Sequence, residues 1–481
     1  MRPFLFRTTR LSARLGDILK RLSVLRGIFD LGLAQGLTAE VTDAELRYLA
    51  RLSLLQEFPP EPLKGKRRRF QFLPLISMVV QQQADSELLR SAHQAALDYF
   101  SAHLPAPPWE SLADLTAYLE GFYHAGELGE WQLAFDILVE ERGGEGKNKS
   151  VYYFLDFQGF YRQNAQLYEQ VIAGSQREQD CHRKSLNCLG NCYVSLGQYE
   201  KAITLYQQSH DISEEIGFRQ GVATSLGNLG LCYYSLGQYE KSIIGLQQHH
   251  DISEEIGDRQ GGAMSLGNLG LCYYSLGQYE KSIAYHQQSH DISEEIGFRQ
   301  GVATSLGNLG NCYVSLRQYE KSIAYHQQQH DISEEIGDRQ GVANSLGNLG
   351  NCYGSLGQDE KSIALYQQYH DISEEIGFRQ GVAISLHNIG VALIKLENYS
   401  EAETKIQESL VISQEINIKS LTAHSFKTLA EIAHQTNQPQ LALTHCQAAL
   451  TLSQELGIPL VKDCEELLAK IQEDLGSVGE I

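Results

Sequence analysis

The stretch SLGNLGLCYYSLGQYEKSIIGLQQHHDISEEIGDRQGGAM, residues 225–264, decides the fold of this 481-residue chain. Its opening motif SLGNLG, or a close variant, recurs every 40 residues and begins again at Ser185, Ser265, Ser305, Ser345 and Ser385. Five such units follow one another without insertion or deletion. A fixed period in this range is typical of a solenoid, in which stacked repeats bury a continuous core.

Each unit contains two segments with helical periodicity. Leu226, Leu229 and Tyr233 lie on one face of a first predicted helix, helix A, which Gly237 ends. A second apolar stripe within residues 239–256 predicts helix B. One helical hairpin cannot bury both of its faces, so neighbouring hairpins must stack. The sequence therefore predicts an all-α fold, an α-solenoid of helical hairpins.

The unit resembles the tetratricopeptide repeat. The positions that carry the resemblance are Leu229, Gly230, Tyr233, Gly237, Tyr239, Ser242 and Leu246. The 40-residue length and the IGDRQG linker are similar to the extended repeats of Pins-type scaffold proteins, and more distantly to kinesin light chains. Two features depart from the family pattern, because Ser stands where Ala is usual and the Pro after helix B is absent. The resemblance implies a right-handed superhelix whose concave face binds a protein segment.

The N-terminal segment has a different pattern. Residues 18–33, 43–55 and 87–104 have helical periodicity, and residues 67–76 (RRRFQFLPLI) alternate like the wing strand of a winged helix. Together with RLSVLRGIFD, this wording resembles the winged-helix region of the STAND (NB-ARC-like) signal-transduction ATPases, which commonly carry tetratricopeptide arrays. Leu73 stands where that family usually has a nucleotide-sensing His before Pro-Leu.

The nucleotide-binding part of that family is not found. A phosphate-binding loop requires Gly-x4-Gly-Lys-Ser/Thr, and the nearest candidate, GGEGKN at residues 143–148, has Asn148 in place of the hydroxyl residue. We therefore predict a chain whose ATPase is lost or supplied elsewhere. Whether the chain is a remnant of a longer STAND ATPase stays open.

Four segments are predicted along the chain. They are a winged-helix-like domain at 1–85, a helical linker with two degenerate tetratricopeptide repeats at 86–180, the 40-residue array at 181–424, and a divergent last repeat with a capping helix at 425–481.

Composition and charge exclude several classes of protein. The formal net charge is −20, yet residues 1–70 carry 14 Lys and Arg against 7 Asp and Glu. No apolar run is long enough to cross a membrane, and no secretory signal is recognisable, so we predict a cytoplasmic protein without membrane partners. Most of the nine cysteines follow the repeat, which favours reduced core thiols over disulfides.

Asparagines form the strongest candidate binding site. One column on helix A, and a second column three residues later, lie away from the packing stripe, and Tyr234 and Tyr274 lie beside them. In the tetratricopeptide family these positions commonly hydrogen-bond the backbone of a bound peptide, which suits an amide that both donates and accepts. The alternative is that the side chains bridge neighbouring helices. The candidate peptide-binding asparagines are Asn191, Asn228, Asn268, Asn308, Asn311, Asn348, Asn351 and Asn388.

A basic cluster in the predicted wing is the second candidate site. Basic side chains in a wing are suited to contact phosphates. The alternative is that the cluster is a solvated patch or contacts another part of the same chain. Its members are Lys64, Lys66, Arg67, Arg68 and Arg69.

No arrangement of residues suggests catalysis, a cofactor or a metal. The histidine column contains the pair His286 and His290 at helical spacing, but equivalent histidines in adjacent repeats lie about 10 Å apart, too far to share an ion. The Arg219 column at the start of each helix A is expected to pair with the glutamates of the SEEIG motif.

We therefore predict a non-enzymatic scaffold or adaptor in signal transduction that binds a protein or extended peptide segment, including a basic one. The alternative is a DNA-binding regulator that uses the basic N-terminal domain and senses through the array. The partner, the oligomeric state and the asparagines that are free to bind stay open.

Overall fold

The structure of this chain is a computed structural model, and it describes residues 11–59, 67–142 and 150–478. The chain divides into two compact units between Leu236 and Gly237. Both units are helical, and the first also contains a small three-stranded sheet. No helix of the described residues is both long and apolar enough to span a lipid bilayer.

The winged-helix-like head opens the first unit. Thr42 and Glu45 form a reciprocal capping box that fixes the start of α3, and the Asp30 carboxylate accepts the Leu33 backbone N–H at the start of α2. The strands pair antiparallel in the order β1-β3-β2. The described helices and strands of the head are α1 Ala13–Leu22, β1 Phe29–Asp30, α2 Leu31–Leu37, α3 Asp43–Arg51, β2 Gln56–Phe58, β3 Arg69–Gln71, α4 Pro74–Gln81 and α5 Ser86–Ala102.

Two predictions for the head are wrong in extent. The predicted wing strand over residues 67–76 is only β3, because Pro74 occupies the first position of α4, where its fixed φ favours a helix. The predicted helix over residues 18–33 ends at Leu22, and the chain then forms β1, where Phe29 pairs with Phe70 across the sheet.

Helical hairpins complete the first unit. The first two turn through Gly129 and Gly159, both with a left-handed backbone (φ 78° and 75°) that glycine adopts without strain. A short 3-10 helix, Leu112–Leu115, precedes them. The helices are α6 Thr116–Leu128, α7 Trp131–Val139, α8 Val151–Phe157, α9 Tyr161–Gly174, α10 Asp180–Ser195, α11 Tyr199–Glu215 and α12 Arg219–Ser235.

The head packs directly on the first of these hairpins. His93 on α5 and His124 on α6 are buried, and their Nδ1 atoms lie 2.9 Å apart. Arg26 stacks over the ring of Tyr123, 3.7 Å from its centroid, and Arg26 Nη2 lies 3.3 Å from a Glu120 carboxylate oxygen. The head and these repeats therefore share one compact unit.

The second unit consists of repeats alone. The predicted turns occur where expected, since Gly277 and Gly297 have left-handed φ angles of 72° and 69°. A helix forms at the predicted capping segment and runs to Val478, and its capping role stays a prediction. The helices are α13 Tyr239–Ile256, α14 Arg259–Ser275, α15 Tyr279–Glu295, α16 Arg299–Ser315, α17 Tyr319–Glu335, α18 Arg339–Ser355, α19 Asp359–Glu375, α20 Arg379–Lys395, α21 Tyr399–Glu415, α22 Lys419–Gln435, α23 Pro439–Leu456 and α24 Leu460–Val478.

In four hairpins of the second unit a large side chain of helix B packs against a glycine of helix A, at Gly270, Gly310, Gly350 and Gly390. A Cβ placed on Gly350 of α18 would come within 2.6 Å of Tyr366 Cε1 on α19. Gly310 and His326 meet in the same way one repeat earlier. The glycine of the LG motif is therefore required by a close approach between helices A and B.

The starts of the A helices alternate between two kinds. Asp338 caps α18, because its carboxylate accepts the Gly341 backbone N–H at 2.9 Å. Phe298 makes no such bond at the start of α16 and instead covers Gly301, where a Cβ would collide with its ring. Gln300 Nε2 donates to Asp338 Oδ2 at 3.1 Å and links a Phe-type start to the next Asp-type start.

A ladder of ion pairs links successive repeats. Arg299 Nη1 lies 2.9 Å from Glu294 in the SEEIG motif just before it, and Arg299 Nη2 lies 2.5 Å from Glu335 of the following repeat. The predicted pairing with the preceding SEEIG glutamate is confirmed for Arg219, Arg259, Arg299 and Arg339. A glutamate 36 residues ahead is paired with Arg259, Arg299, Arg339 and Arg379. These side chains are a third or more exposed, so each pair contributes little individually.

Candidate functional site

Five of the candidate asparagines line one cavity in the second unit, with a volume of about 620 Å³. We call this surface the amide groove. Its defining residues are Asn308, Asn311, Asn348, Asn351 and Asn388.

The 40-residue repeat explains why these side chains converge. Asn308, Asn348 and Asn388 occupy the same position on α16, α18 and α20, each one residue before a buried apolar residue of the hairpin core. Parallel stacking of identical helices therefore places the three amides in a row on one face. The sequence prediction of a shared face is confirmed for these residues.

The first asparagine column of the groove is not used inside the protein. The side chains of Asn308, Asn348 and Asn388 form no hydrogen bond with any residue that the structure describes, and all three are half-buried at the cavity wall. Asn351 differs, because its Oδ1 accepts a 2.6 Å hydrogen bond from the Tyr366 hydroxyl. Its Nδ2 remains able to donate. The bridging alternative therefore finds no support at the three positions of the first column.

Other amides that the sequence reasoning missed complete the lining: Gln300, Gln329, Gln340 and Asn344. Gln340 Nε2 donates to Asn344 Oδ1 at 3.2 Å. Among the described residues that line the cavity, Asp338 alone carries a charge. The groove is consequently polar and almost neutral, which favours hydrogen bonding over ion pairing as the means of recognition.

The other candidate asparagines line separate cavities. Asn268 shares a cavity of about 200 Å³ with Asn308. In the first unit, Asn191 and Asn228 line a cavity of about 280 Å³, where Asn191 Oδ1 accepts from the Tyr206 hydroxyl at 2.6 Å. The Asn191–Tyr206 pair repeats the arrangement of Asn351 with its tyrosine.

The two candidate tyrosines do not line the amide groove. Tyr274 packs edge-on against Tyr279, with 5.4 Å between ring centroids, and its hydroxyl lies 2.9 Å from Ser315 Oγ. Tyr234 lies in the other unit. Contact of either tyrosine with a ligand stays a prediction.

Part of the basic cluster is engaged in ion pairs within the head. Arg67 Nη1 lies 3.6 Å from Asp30 Oδ2, and Arg68 Nη1 lies 2.5 Å from Glu57 Oε1. Arg69 is in β3. Lys64 and Lys66 lie outside the described residues. A role in phosphate contact stays a prediction.

Titratable groups inside the hairpins are held neutral. Burial lowers the pKa of His286 to about 4, and it lowers the pKa of His326 in the next repeat. Burial likewise raises the pKa of the Cys352 thiol, which lies 3.2 Å from Ser322 Oγ. No group of three metal-ligating side chains occurs in the described ranges. These groups serve packing, and the amide groove remains the site with unused binding groups.

Comparison with protein families agrees with this architecture. The tetratricopeptide repeat model matches residues 182–255, 222–295, 301–375 and 381–455, which together make up more than half of the chain. The chain belongs to the tetratricopeptide repeat family. Proteins of this class present extended binding surfaces and serve as protein-interaction scaffolds.

Two solved structures are similar in fold. A signal transduction ATPase with numerous domains (STAND) with a tetratricopeptide repeat sensor, from Pyrococcus horikoshii, is 17% identical with a TM-score of 0.56; the match covers 96% of this chain and 66% of that one. Aspartyl phosphate phosphatase F from Bacillus subtilis is 15% identical with a TM-score of 0.51, over 72% of this chain and 96% of that one. No curated protein sequence matches this chain.

The STAND likeness covers the head as well as the array. It agrees with the resemblance of the N-terminal segment to the winged-helix region of that family. This chain spans 66% of the length of the STAND protein.

Proposed function

We propose that this protein is an adaptor that binds an extended segment of a partner protein along the amide groove. The observation that supports it is the row of Asn308, Asn348 and Asn388, whose side chains form no hydrogen bond with the described residues around them. Amides that line a cavity without internal partners are available to a ligand. An extended backbone offers one N–H and one C=O per residue, which matches the donor and acceptor of each asparagine.

The near neutrality of the groove shapes the expected partner. A segment held through its backbone needs no charge at the groove itself, whereas the net charge of −20 on the whole chain favours approach of a basic partner. We therefore propose a partner segment that is extended and polar where it lies in the groove, on a protein that is basic overall. The second Asn column would then contribute the Nδ2 donors of Asn311 and Asn351.

The head suggests the setting of this adaptor. Its winged-helix-like domain packs on the first repeats, and the structural neighbour named as a STAND ATPase combines such an array with an ATPase. We propose a function in signal transduction in which the repeat array binds a partner protein rather than catalysing a reaction.

The test is a double substitution in the groove. Full-length wild type and Asn308→Ala/Asn348→Ala are used as baits for affinity capture from native lysate, and the proteins retained by wild type are then titrated against both. Each lost amide removes about 1 kcal/mol or more of binding free energy, so affinity should fall about 10- to 100-fold. Unchanged affinity for every captured protein would remove the groove function.

A matched control keeps the test specific. Gln287 and Gln327 are amides of the same array that do not line the groove, and each donates to an aspartate four residues later on its own helix B. Gln287→Ala/Gln327→Ala should retain the partner. Equal thermal unfolding temperatures of the two double variants exclude a loss of folding as the reason for lost binding.

A further inference from the structure

Two adjacent repeats depart from the earlier copies at three positions that the structure brings together. Gly354, Asp359 and Lys395 all line a cavity of about 220 Å³ in the second unit. The corresponding residues two repeats earlier are Tyr274, Tyr279 and Ser315. In an array of nearly identical units, three linked departures at one place distinguish that place from its copies.

In the earlier repeat this space is filled by aromatic rings. The Tyr274 and Tyr279 rings meet edge-on with 5.4 Å between their centroids and an interplanar angle of 63°. The Tyr274 hydroxyl lies 2.9 Å from Ser315 Oγ on the next helix A. Two phenol rings and one hydroxyl contact therefore complete the hairpin packing there.

In the later repeat both rings are missing and a cavity takes their place. A Cβ on Gly354 would lie 3.1 Å from Ser362 Oγ and 3.9 Å from Lys395 Nζ, so a side chain at this position would enter the cavity. Lys395 extends toward the space from the position of Ser315, and its Nζ donates to the Gly354 carbonyl oxygen at 2.9 Å. The cavity therefore lies where the Tyr274 ring lies two repeats earlier, and no side chain at position 354 fills it.

The wall of the cavity holds an acceptor with unused capacity. Asp359 is 9% exposed, and its Oδ1 forms no hydrogen bond of good geometry with any described residue, although Lys395 Nζ lies 3.3 Å away. A buried carboxylate oxygen in this state gains from a donor. Lys395 has three N–H donors, so one of them can serve a ligand while the others hold the carboxylate and the carbonyl.

We propose that this cavity, the tyrosine pocket, receives a tyrosine side chain of the segment bound in the amide groove. The incoming ring would replace the missing ring of Gly354 and pack against Val391 and Ala392. Its hydroxyl would donate to Asp359 Oδ1 and accept from Lys395. The inference rests on the proposed function, because Asn351 and Asn388 line both the groove and the pocket.

The pocket would fix the register of the bound segment. Asparagines repeated every 40 residues hold a backbone equally well after a shift along the groove, so they supply affinity without choosing a register. A pocket found in one repeat breaks this equivalence. Other side chains fit less well, since an aliphatic one offers no donor to Asp359 and an acidic one is repelled by it.

The experiment uses small probes, so it does not depend on finding the partner. Saturation-transfer NMR with full-length protein measures binding of N-acetyl-L-tyrosinamide and of N-acetyl-L-phenylalaninamide, which lacks only the hydroxyl. We expect the tyrosine probe to bind at least about tenfold more tightly, because a hydrogen bond to a charged group contributes about 1.5 kcal/mol or more. Equal binding of the two probes, or no binding of the tyrosine probe, overturns the pocket.

A pair of matched substitutions places the probe. Gly354→Tyr restores the ring that an earlier repeat carries and should abolish binding of the tyrosine probe. Val194→Tyr adds the same ring at the same position four repeats earlier, in the first unit, which contributes no residue to the pocket, and should leave binding unchanged. Loss of binding in both variants, or in neither, overturns the assignment. A negative result with the tyrosine probe does not affect the groove proposal, which is tested separately with the asparagine variants.

Discussion

Replacing His286 by leucine should make the array less sensitive to acid. His286 lies on α15, and its ring is 1% exposed where it packs against Gly270 of α14. Neither ring nitrogen has a hydrogen-bond partner among the described residues. Leu246 occupies the same position one repeat earlier, so the substitution is one that the fold already accommodates.

The size of the effect follows from the pKa. Burial lowers the pKa of His286 from 6.5 to about 4, so below pH 6.5 the unfolded chain binds a proton that the folded chain does not. The free energy of unfolding is therefore unaffected by His286 above pH 6.5 and decreases as the pH falls from 6.5 toward 4. The full loss is about 3 kcal/mol, of which about 2 kcal/mol is reached at pH 5. At pH 7 the leucine variant should be equal in stability or slightly more stable, because it removes two buried polar atoms without partners.

The assay is urea unfolding followed by circular dichroism at pH 7 and pH 5. The difference in unfolding free energy between His286→Leu and wild type should increase by about 2 kcal/mol from the higher to the lower pH. His290→Gln, four residues along the same helix and 21% exposed, should keep the wild-type response. A difference between His286→Leu and wild type that is the same at both pH values refutes the reasoning.

Three further predictions concern packing, ion pairs and the head. Gly350→Ala should destabilise the array by about 1–3 kcal/mol in thermal or urea unfolding, because the added Cβ meets a tyrosine ring. Gly357→Ala should cost only about 1 kcal/mol, through the left-handed φ of 71° at that position. Equal costs for the two variants would contradict the role of close approach. Arg299→Ala should cost less than about 1 kcal/mol at low salt and still less in 1 M NaCl, and a salt-independent cost would contradict the ladder. Duplex DNA should bind the full chain weakly or not at all in fluorescence anisotropy, because Arg67 and Arg68 pair within the head; tight, steeply salt-dependent binding that Arg67→Ala/Arg68→Ala abolishes would favour the DNA-binding regulator.

The repeat itself made most of the array predictable. The 40-residue period, the apolar stripes of helices A and B and the glycine turn between them all predict the same stacked hairpin. The head was harder, since Phe70 and Phe72 alternate like a strand but Pro74 two residues later starts a helix. Over such a short segment the alternation favours a strand and the proline favours a helix start. The pairing with β1, which the sequence does not show, decides where the strand ends.

The candidate site was predictable in position and not in hydrogen bonding. Spacing on helix A placed Asn348 and Asn388 on one face, but it could not show that Asn351 is bonded by Tyr366, which lies on helix B, because that contact depends on how the two helices cross. The departures at Asp359 and Lys395 were visible in the sequence as breaks in the copying. Their meaning required the stacking distance between repeats, which places Lys395 beside a carboxylate 36 residues earlier.

The alternating starts of the A helices have a consequence for how the array can change its length. Gln300 reaches Asp338 across the junction from a Phe-type start to an Asp-type start. Removing or adding 80 residues returns every junction to a pairing that already exists, whereas a change of 40 brings two starts of the same kind together. Unequal recombination within the gene would thus yield folded descendants most readily in steps of two repeats. Each step would change the number of amide positions that the array offers while leaving its junctions intact.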